Sequence, residues 1–443
     1  MLILHDILEK LKNEFAQSRK GQERGVWFVY TIVAIILPFA SSRTSNLLRC
    51  LKTVFGFSGI GRKKFYTFMA SPRIPWQRLW PTLWKLIPQP TTGGRLLLAL
   101  DDSINTKTGK KIFACDNVFD HAAKQNQSKY PWAQNIVAVG LLKMVKGRWA
   151  CLPLSYRFYL LKKTIERMNH DGDGSEMTFK SKLAMAVDMI GEIAAVFPRK
   201  RLVITTDSWF GNGGLWKPLK KQLGIWVDMI SRLRSNSTVF ELPTPSTRRQ
   251  GRPRKYGCRL GSSAELAVRF RSLAKEFTVN LYGRDRNVVA YERVVMLKTI
   301  RCAVKVVWVY RKTQWVALYS TDLCLSAEQI IEYYGARWKI EALFKELKND
   351  IGSADTQTRH PRAVSNHLHF CMLATTVAWI YASRIENAPS RRHAVGGRRH
   401  FAFSDVRRSV AKAAMDKDFG RLFPVPRKSV VNSLVDVLLR MAA

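Results

Sequence analysis

Apolar residues recur at helical spacing over Asp6–Ser18 and Thr44–Val54, so roughly the first ninety residues predict helices. Between them, Gly25–Ala40 (GVWFVYTIVAIILPFA) is apolar almost throughout. That stretch is short for a membrane span and carries a proline near its end, so a buried helix is expected. Ser42-Arg43-Thr44-Ser45 offers N-cap residues before NLLRCLKTVF. Gly56, Gly59 and Gly61 break the pattern ahead of RKKFYTFM. Helix, glycine turn and basic aromatic helix fit a helix-turn-helix, although such pairs occur in any helical domain. Pro72–Pro90, rich in proline and tryptophan, reads as a connection.

From Gly93 the pattern becomes strand-like: LLLALDD, NIVAVGLLKMV and RWACLPLSYRFYL. Asn169–Ser175 reads as a loop, and Met177–Phe197 as an amphipathic helix. The strand RLVITT then ends at Asp207, Leu215–Leu223 reads as a helix and Ile225–Ile230 as a strand. About 110 residues separate that strand from Glu341, too many for a loop in a compact domain. EFTVNLYGRD, VAYERVVMLK, CAVKVVWVYRK and QWVALYST make this span β-rich. After Glu341, Thr356–His369 is a polar loop with three histidines, and Phe370–Tyr381 is an apolar helix. Arg391–Arg399 is a basic linker, and small basic helices are expected beyond it.

Charge narrows the function classes. The 443 residues carry 73 Lys+Arg against 33 Asp+Glu, a net +40. Such an excess needs a polyanionic partner, and its spread along the chain favours a wrapping nucleic-acid contact over a membrane tether. Seven separated cysteines without a C-x-x-C pair fit reduced thiols, not a disulfide framework or zinc finger. Nothing at the N-terminus reads as a signal peptide, so a cytoplasmic, nucleoid-associated protein is expected.

Three acidic segments carry the candidate chemistry. Leu96–Leu100 runs into Asp101-Asp102, and RLVITT runs into Asp207, followed by Gly211, Gly213 and Gly214. The third is Ile331–Leu347, IEYYGARWKIEALFKEL, followed by Lys348. At about 100° per residue, Tyr334, Arg337, Glu341 and Lys348 fall within roughly a 60° arc. Each feature alone has a plain reading: aspartates cap turns, and helix charges pair in solvent. Together they offer carboxylate oxygens, which suit Mg²⁺ or Mn²⁺, beside cations that suit phosphates. Two such ions can stabilise both oxygens of an in-line phosphoryl displacement. Asp171 and Asp173 resemble the start of a calcium loop, but the twelfth position is Lys182, which excludes one.

Tyr334-x2-Arg337-x3-Glu341-x6-Lys348, with LALDDS, VITTDS and WVALYSTD upstream, resembles the DDE transposases of bacterial insertion sequences. Within these it resembles the YREK-signature group, insertion-sequence families 4 and 701, over roughly residues 90–385. The resemblance implies an α/β fold: an RNase H-like catalytic core with a β-rich insertion, flanked by helical N- and C-terminal regions. The expected division is 1–92 helical and DNA-binding, 93–235 first core part, 236–318 insertion, 319–385 second core part and 386–443 helical. Asp207 and Glu341 are implied as second and third acids, holding two Mg²⁺ or Mn²⁺ ions with the first. For the first acid, the acid-x-Ser pattern favours Asp101, while alignment of the strand against relatives ending in Glu-Asp favours Asp102. Alternation lets only one of them reach the metals. Glu346 points away from Tyr334 on the helix and is set aside.

Arg337 and Lys348 are expected to grip phosphates, Tyr334 to position the backbone, and Lys345 to add charge. Trp315 is the implied base-stacking residue, with Trp308 a rival and core packing the plain reading of both. Gly251-Arg252-Pro253-Arg254 resembles an AT-hook, whose arginines enter the narrow minor groove; a basic loop on phosphates is the alternative. The implied activity is metal-dependent cleavage at element ends and 3′-OH strand transfer into target DNA, with hairpin ends common in the group. The implied partners are double-stranded DNA and a second copy on that DNA, with no membrane. A nuclease without strand transfer and a catalytically silent DNA-binding regulator are the alternatives.

Overall fold

Leu96–Leu100 is wholly buried, as an apolar run covered on both sheet faces must be. It opens strand β1 (Arg95–Thr106), which continues past the two aspartates instead of ending at them. The computed structural model describes residues 2–38, 41–57, 59–120, 123–170, 177–243, 254–392 and 400–424. In chain order β1 is followed by β2 (Cys115–Asn117), β3 (Trp132–Val145), β4 (Arg148–Tyr159), β5 (Arg201–Thr206) and β6 (Val227–Leu233). β4, β3 and β1 pair antiparallel, and β1, β5 and β6 pair parallel. The resulting order β4-β3-β1-β5-β6 is that of an RNase H-like core in a mixed α/β fold.

The sheet does not stop at β6. After β7 (Thr238–Phe240), β8 (Arg259–Ser262), β9 (Lys275–Leu281), β10 (Arg284–Leu297) and β11 (Cys302–Arg311), strand β12 (Gln314–Ser320) returns antiparallel to β6. The β-rich span therefore extends the core into one twelve-stranded sheet.

Register sorts the two faces. Asp101 pairs with Ala138, and Ala138 with Tyr156, so these three share a face. The Tyr156 hydroxyl donates to Ser365 O at 2.7 Å, which puts the helix Pro361–Arg384 on that face. Asp102 faces the other way, towards the helix Lys182–Val196, which Ser181 caps. This helix starts five residues later than the pattern of Met177–Phe197 suggests.

Other helices also depart from expectation. The first is Leu2–Lys12, not Asp6–Ser18, because Ser18 caps the next helix, Arg19–Ile36. That second helix buries most of the apolar Gly25–Ala40 run, and no helix among the described residues is long and apolar enough to cross a membrane. Pro72–Pro90 is no mere connection: Trp76–Lys85 is a helix that buries Trp80 and Trp84. The signature run is not one regular helix. It is Ala327–Arg337, a turn at Trp338, Lys339–Lys345, and a π-helical end Glu346–Ile351. Most of the Asn169–Ser175 loop and of Arg391–Arg399 lies outside the described residues, as does the end of the chain beyond residue 424.

An ionic clamp holds the sheet at the end remote from the acids. Asp322, whose side chain is fully buried, accepts from Arg95 Nη2 at 2.8 Å and lies 3.5 Å from Arg201 Nη2. Arg201 Nε also pairs with Asp228 at 2.6 Å. These groups tie the first residues of β1 and β5 to β6 and to the chain leaving β12. A one-residue slip of β1 on β5 would turn every side chain to the wrong face, so the clamp protects the register. Asp322→Ala leaves two arginines without their shared carboxylate, and we expect a loss of about 3 kcal/mol in denaturant unfolding. A loss below about 1 kcal/mol would mean that the backbone ladder alone sets the register.

Candidate active site

The parallel pairing of β1 with β5 runs from Arg95↔Arg201 to Leu100↔Thr206. Asp101, inside β1, and Asp207, just past the end of β5, come next along the two strands, so neighbouring strands present two carboxylates side by side. Asp207 also does what a strand-end aspartate does for structural reasons. Its Oδ1 accepts the backbone N–H groups of Trp209 and Phe210, both at 3.0 Å. Its carbonyl accepts from Ser231 Oγ at 2.7 Å. Gly211 allows this packing, because a Cβ there would stand 2.0 Å from Ser231 Oγ.

Arg337 joins the acids to the helix. Its Nη1 donates to Asp101 Oδ2 at 3.0 Å and its Nη2 to Glu341 Oε1 at 3.2 Å. The guanidinium is only 5% exposed and lies over the rings of Tyr334 and Trp338, at 5.5 and 5.3 Å. Its Nε–H is buried with no acceptor. Burial raises the Asp101 carboxyl to about 7; Arg337 opposes the rise, and Asp207 adds to it. Burial likewise raises Glu341, again against the pull of Arg337 and with a push from Asp207. All three acids thus share one electrostatic neighbourhood.

Asp102 also pushes the Asp101 carboxyl up, but its side chain turns away from the helix that carries Glu341. Lys182 Nζ meets Asp102 Oδ2 at 2.7 Å on the opposite face, and the same ammonium lies over the rings of Tyr159 and Trp209. Of the two aspartates open in the sequence, Asp101 is the one beside Arg337 and Glu341.

The remaining sequence candidates divide. Lys348 Nζ donates to Ser103 Oγ at 2.8 Å, two residues along β1 from Asp101. Burial raises the Tyr334 phenol, with Arg337 opposing. Lys345 is exposed, and its charge acts on Asp350. Glu346 is buried, 3.6 Å from Arg148, away from the three acids. Trp308 is fully buried and donates to Ser263 O, a core residue. Trp315 is half-buried, and register places it on the Asp102 face. Arg254 is exposed, while Arg252 lies outside the described residues.

Sequence reasoning missed Trp338 and Trp209, which are 48% and 44% exposed beside the acids. Their signal was present: each lies within two residues of a singled-out charge, and neither belongs to an apolar repeat.

A family model described as DDE superfamily endonuclease matches residues 14–280, more than half of the chain. The chain belongs to the DDE superfamily endonucleases. The match includes Asp101 and Asp207 and ends before Glu341. No curated protein matches. Enzymes of this superfamily generally use divalent metal ions and act on DNA. Among the described residues no three ligating side chains already form a metal cage. The donor set nevertheless fits such ions: it is all carboxylate oxygen, and Asp101 and Glu341 already gather one cation between them, the Arg337 guanidinium.

A carboxyl that holds its proton more tightly in the fold than in the open chain stabilises the fold below about pH 4. It loses that contribution as pH rises through about 7. With chelator present, Asp101→Asn should therefore unfold at a higher temperature than wild type at pH 8. The gain should be at most about 4 kcal/mol and should vanish near pH 4. Equal stability at both pH values would mean that Asp101 ionises without penalty.

Proposed function

We propose that this DDE endonuclease is a transposase of the YREK group, which cuts the ends of an insertion sequence and joins them to target DNA. The observation that carries the reading is the Arg337 bridge, which unites an aspartate within β1, beside a second one just past β5, with a helix glutamate. Asp101, Asp207 and Glu341 would hold the divalent ions, Mg²⁺ or Mn²⁺, two in number. Bound there, such ions supply Lewis-acid stabilisation of the attacking and leaving oxygens.

The chain's own residues do the rest. Arg337, the guanidinium shared by Asp101 and Glu341, would stand beside a non-bridging phosphate oxygen bound at the acids. Lys348, anchored on Ser103, brings an ammonium to the same strand. Tyr334 supports the guanidinium from below and positions the backbone, and Lys345 adds outer charge. Water attacks phosphorus and the 3′-oxygen leaves with a proton; the resulting 3′-hydroxyl then attacks a target phosphorus, giving up its proton as the P–O3′ bond of the target breaks and the target's 3′-oxygen leaves as a hydroxyl. Pairing two element ends calls for two copies of the chain on DNA. Stacking by Trp315 on a flipped base is the reading in hand for end processing through hairpins. Trp338, exposed on the acids' own face, is its rival.

The test is nicking of labelled element-end DNA with Mg²⁺, followed by strand transfer from a precut end. Asp101→Asn, Asp207→Ala and Glu341→Ala should each lower nicking by at least about a hundredfold with DNA binding retained, while Asp102→Asn should stay within about tenfold of wild type. Nicking that survives Glu341→Ala would remove the third acid. Nicking without joining would leave a nuclease, and tight DNA binding without nicking would leave a regulator.

A further inference from the structure

Beside the acids runs a strip of aromatic rings and cations that the acids do not use. It begins at Trp209, two residues past Asp207, whose indole is 44% exposed. Lys182 Nζ lies 5.6 Å from that ring and 5.1 Å from the ring of Tyr159, at the end of β4. Tyr159 meets Phe179 edge-on, with ring centroids 6.2 Å apart. Lys162, which opens the helix Lys162–His170, lies 5.3 Å from the Phe179 ring. Rings and cations thus follow one another from Trp209 to Lys162, although they come from three separate stretches of chain.

The strip is held from beneath. Asp207 accepts the Trp209 N–H at 3.0 Å, and the Trp209 carbonyl accepts from Asn212 Nδ2 at 2.6 Å. Phe210 is fully buried and packs edge-on against the indole at 4.8 Å. The backbone of Trp209 is therefore fixed while its ring stays open to solvent. Asp102 fixes the next member by pairing with Lys182 at 2.7 Å, which seats the ammonium between two rings. An exposed aromatic side chain on its own is ordinary. Trp209 and Phe179, the latter 39% exposed, instead belong to one continuous run bordered by charge, as interaction surfaces are.

We infer that this strip binds the unpaired bases of a DNA strand opened beside the cut. Bases stack on Trp209 and Phe179, and Lys162 and Lys182 face the phosphates between them. Every base has a π-face, but in a duplex the neighbouring bases cover it, so open rings select an unpaired strand. Cations interleaved with the rings complement the backbone that joins those bases. A strand leaving the acids meets Trp209 first, because that ring stands two residues from Asp207. The inference rests on the proposed action on DNA. It also gives Asp102 a task outside the acidic site, as the positioning residue for Lys182.

The experiment measures affinity, with the full chain and in chelator, for a mixed-sequence duplex that is either blunt or carries an unpaired tail. Wild type should prefer the tailed duplex. Trp209→Leu and Phe179→Leu keep an apolar side chain and remove the ring. Each should lower affinity for the tailed duplex about five- to hundredfold and leave the blunt one unchanged. Trp209→Tyr should keep the preference. Salt dependence separates stacking from charge: the leucine variants should keep the wild-type slope, whereas Lys162→Gln should lower its magnitude by about 0.7 on the tailed duplex. Wild-type affinity for the tail in either leucine variant would break the strip. Equal losses on both duplexes would overturn the unpaired strand as occupant, and a slope that falls with the rings would overturn stacking. A tail preference that the leucine variants lose, in a chain that never nicks with Mg²⁺, would keep the strip and sink the transposase reading. Mg²⁺-dependent nicking of element ends without any tail preference would do the reverse.

Discussion

One guanidinium spans the two halves of the molecule's chemistry. Arg337 reaches 236 positions back to Asp101 and four positions on to Glu341, while two aromatic rings hold its plane. Without it, the more buried Asp101 and the more exposed Glu341 would face Asp207 without the cation they share.

That bridge depends on register at a distance. The parallel β1–β5 ladder delivers Asp101 and Asp207 together only if both strands begin in step. The arginines at their starts are pinned by Asp322 and Asp228. Charge thus gathers at both ends of the same strands, in the clamp at one and around the candidate acids at the other. The insertion joins in through β12, which lies against β6 and ends in the clamp. It therefore steadies the core as well as extending it.

Much of this was legible in the sequence. Apolar strands ending in acid, and the spacing of Tyr334, Arg337 and Glu341, point to a shared face, and these side chains do share one. The ambiguity of Asp101 and Asp102 was real, since alternation says that they differ and not which one faces the helix. Pairing across the sheet gives only the faces: Asp101 lies with Ala138 and Tyr156, and Asp102 meets Lys182 on the other. The helix at Trp76–Lys85 was hidden by prolines that suggest a linker, although Pro81 sits inside it. The π-helical end of the signature run has no local sequence mark.

The central claim is that Asp101 and not Asp102 completes the acidic site, and Mn²⁺ binding tests it without recourse to catalysis. Binding would be titrated by electron paramagnetic resonance on the full chain with a duplex present. The account predicts that Asp101→Asn and Asp207→Asn each lose bound Mn²⁺, while Asp102→Asn binds as wild type does. Loss in Asp102→Asn with retention in Asp101→Asn would contradict it.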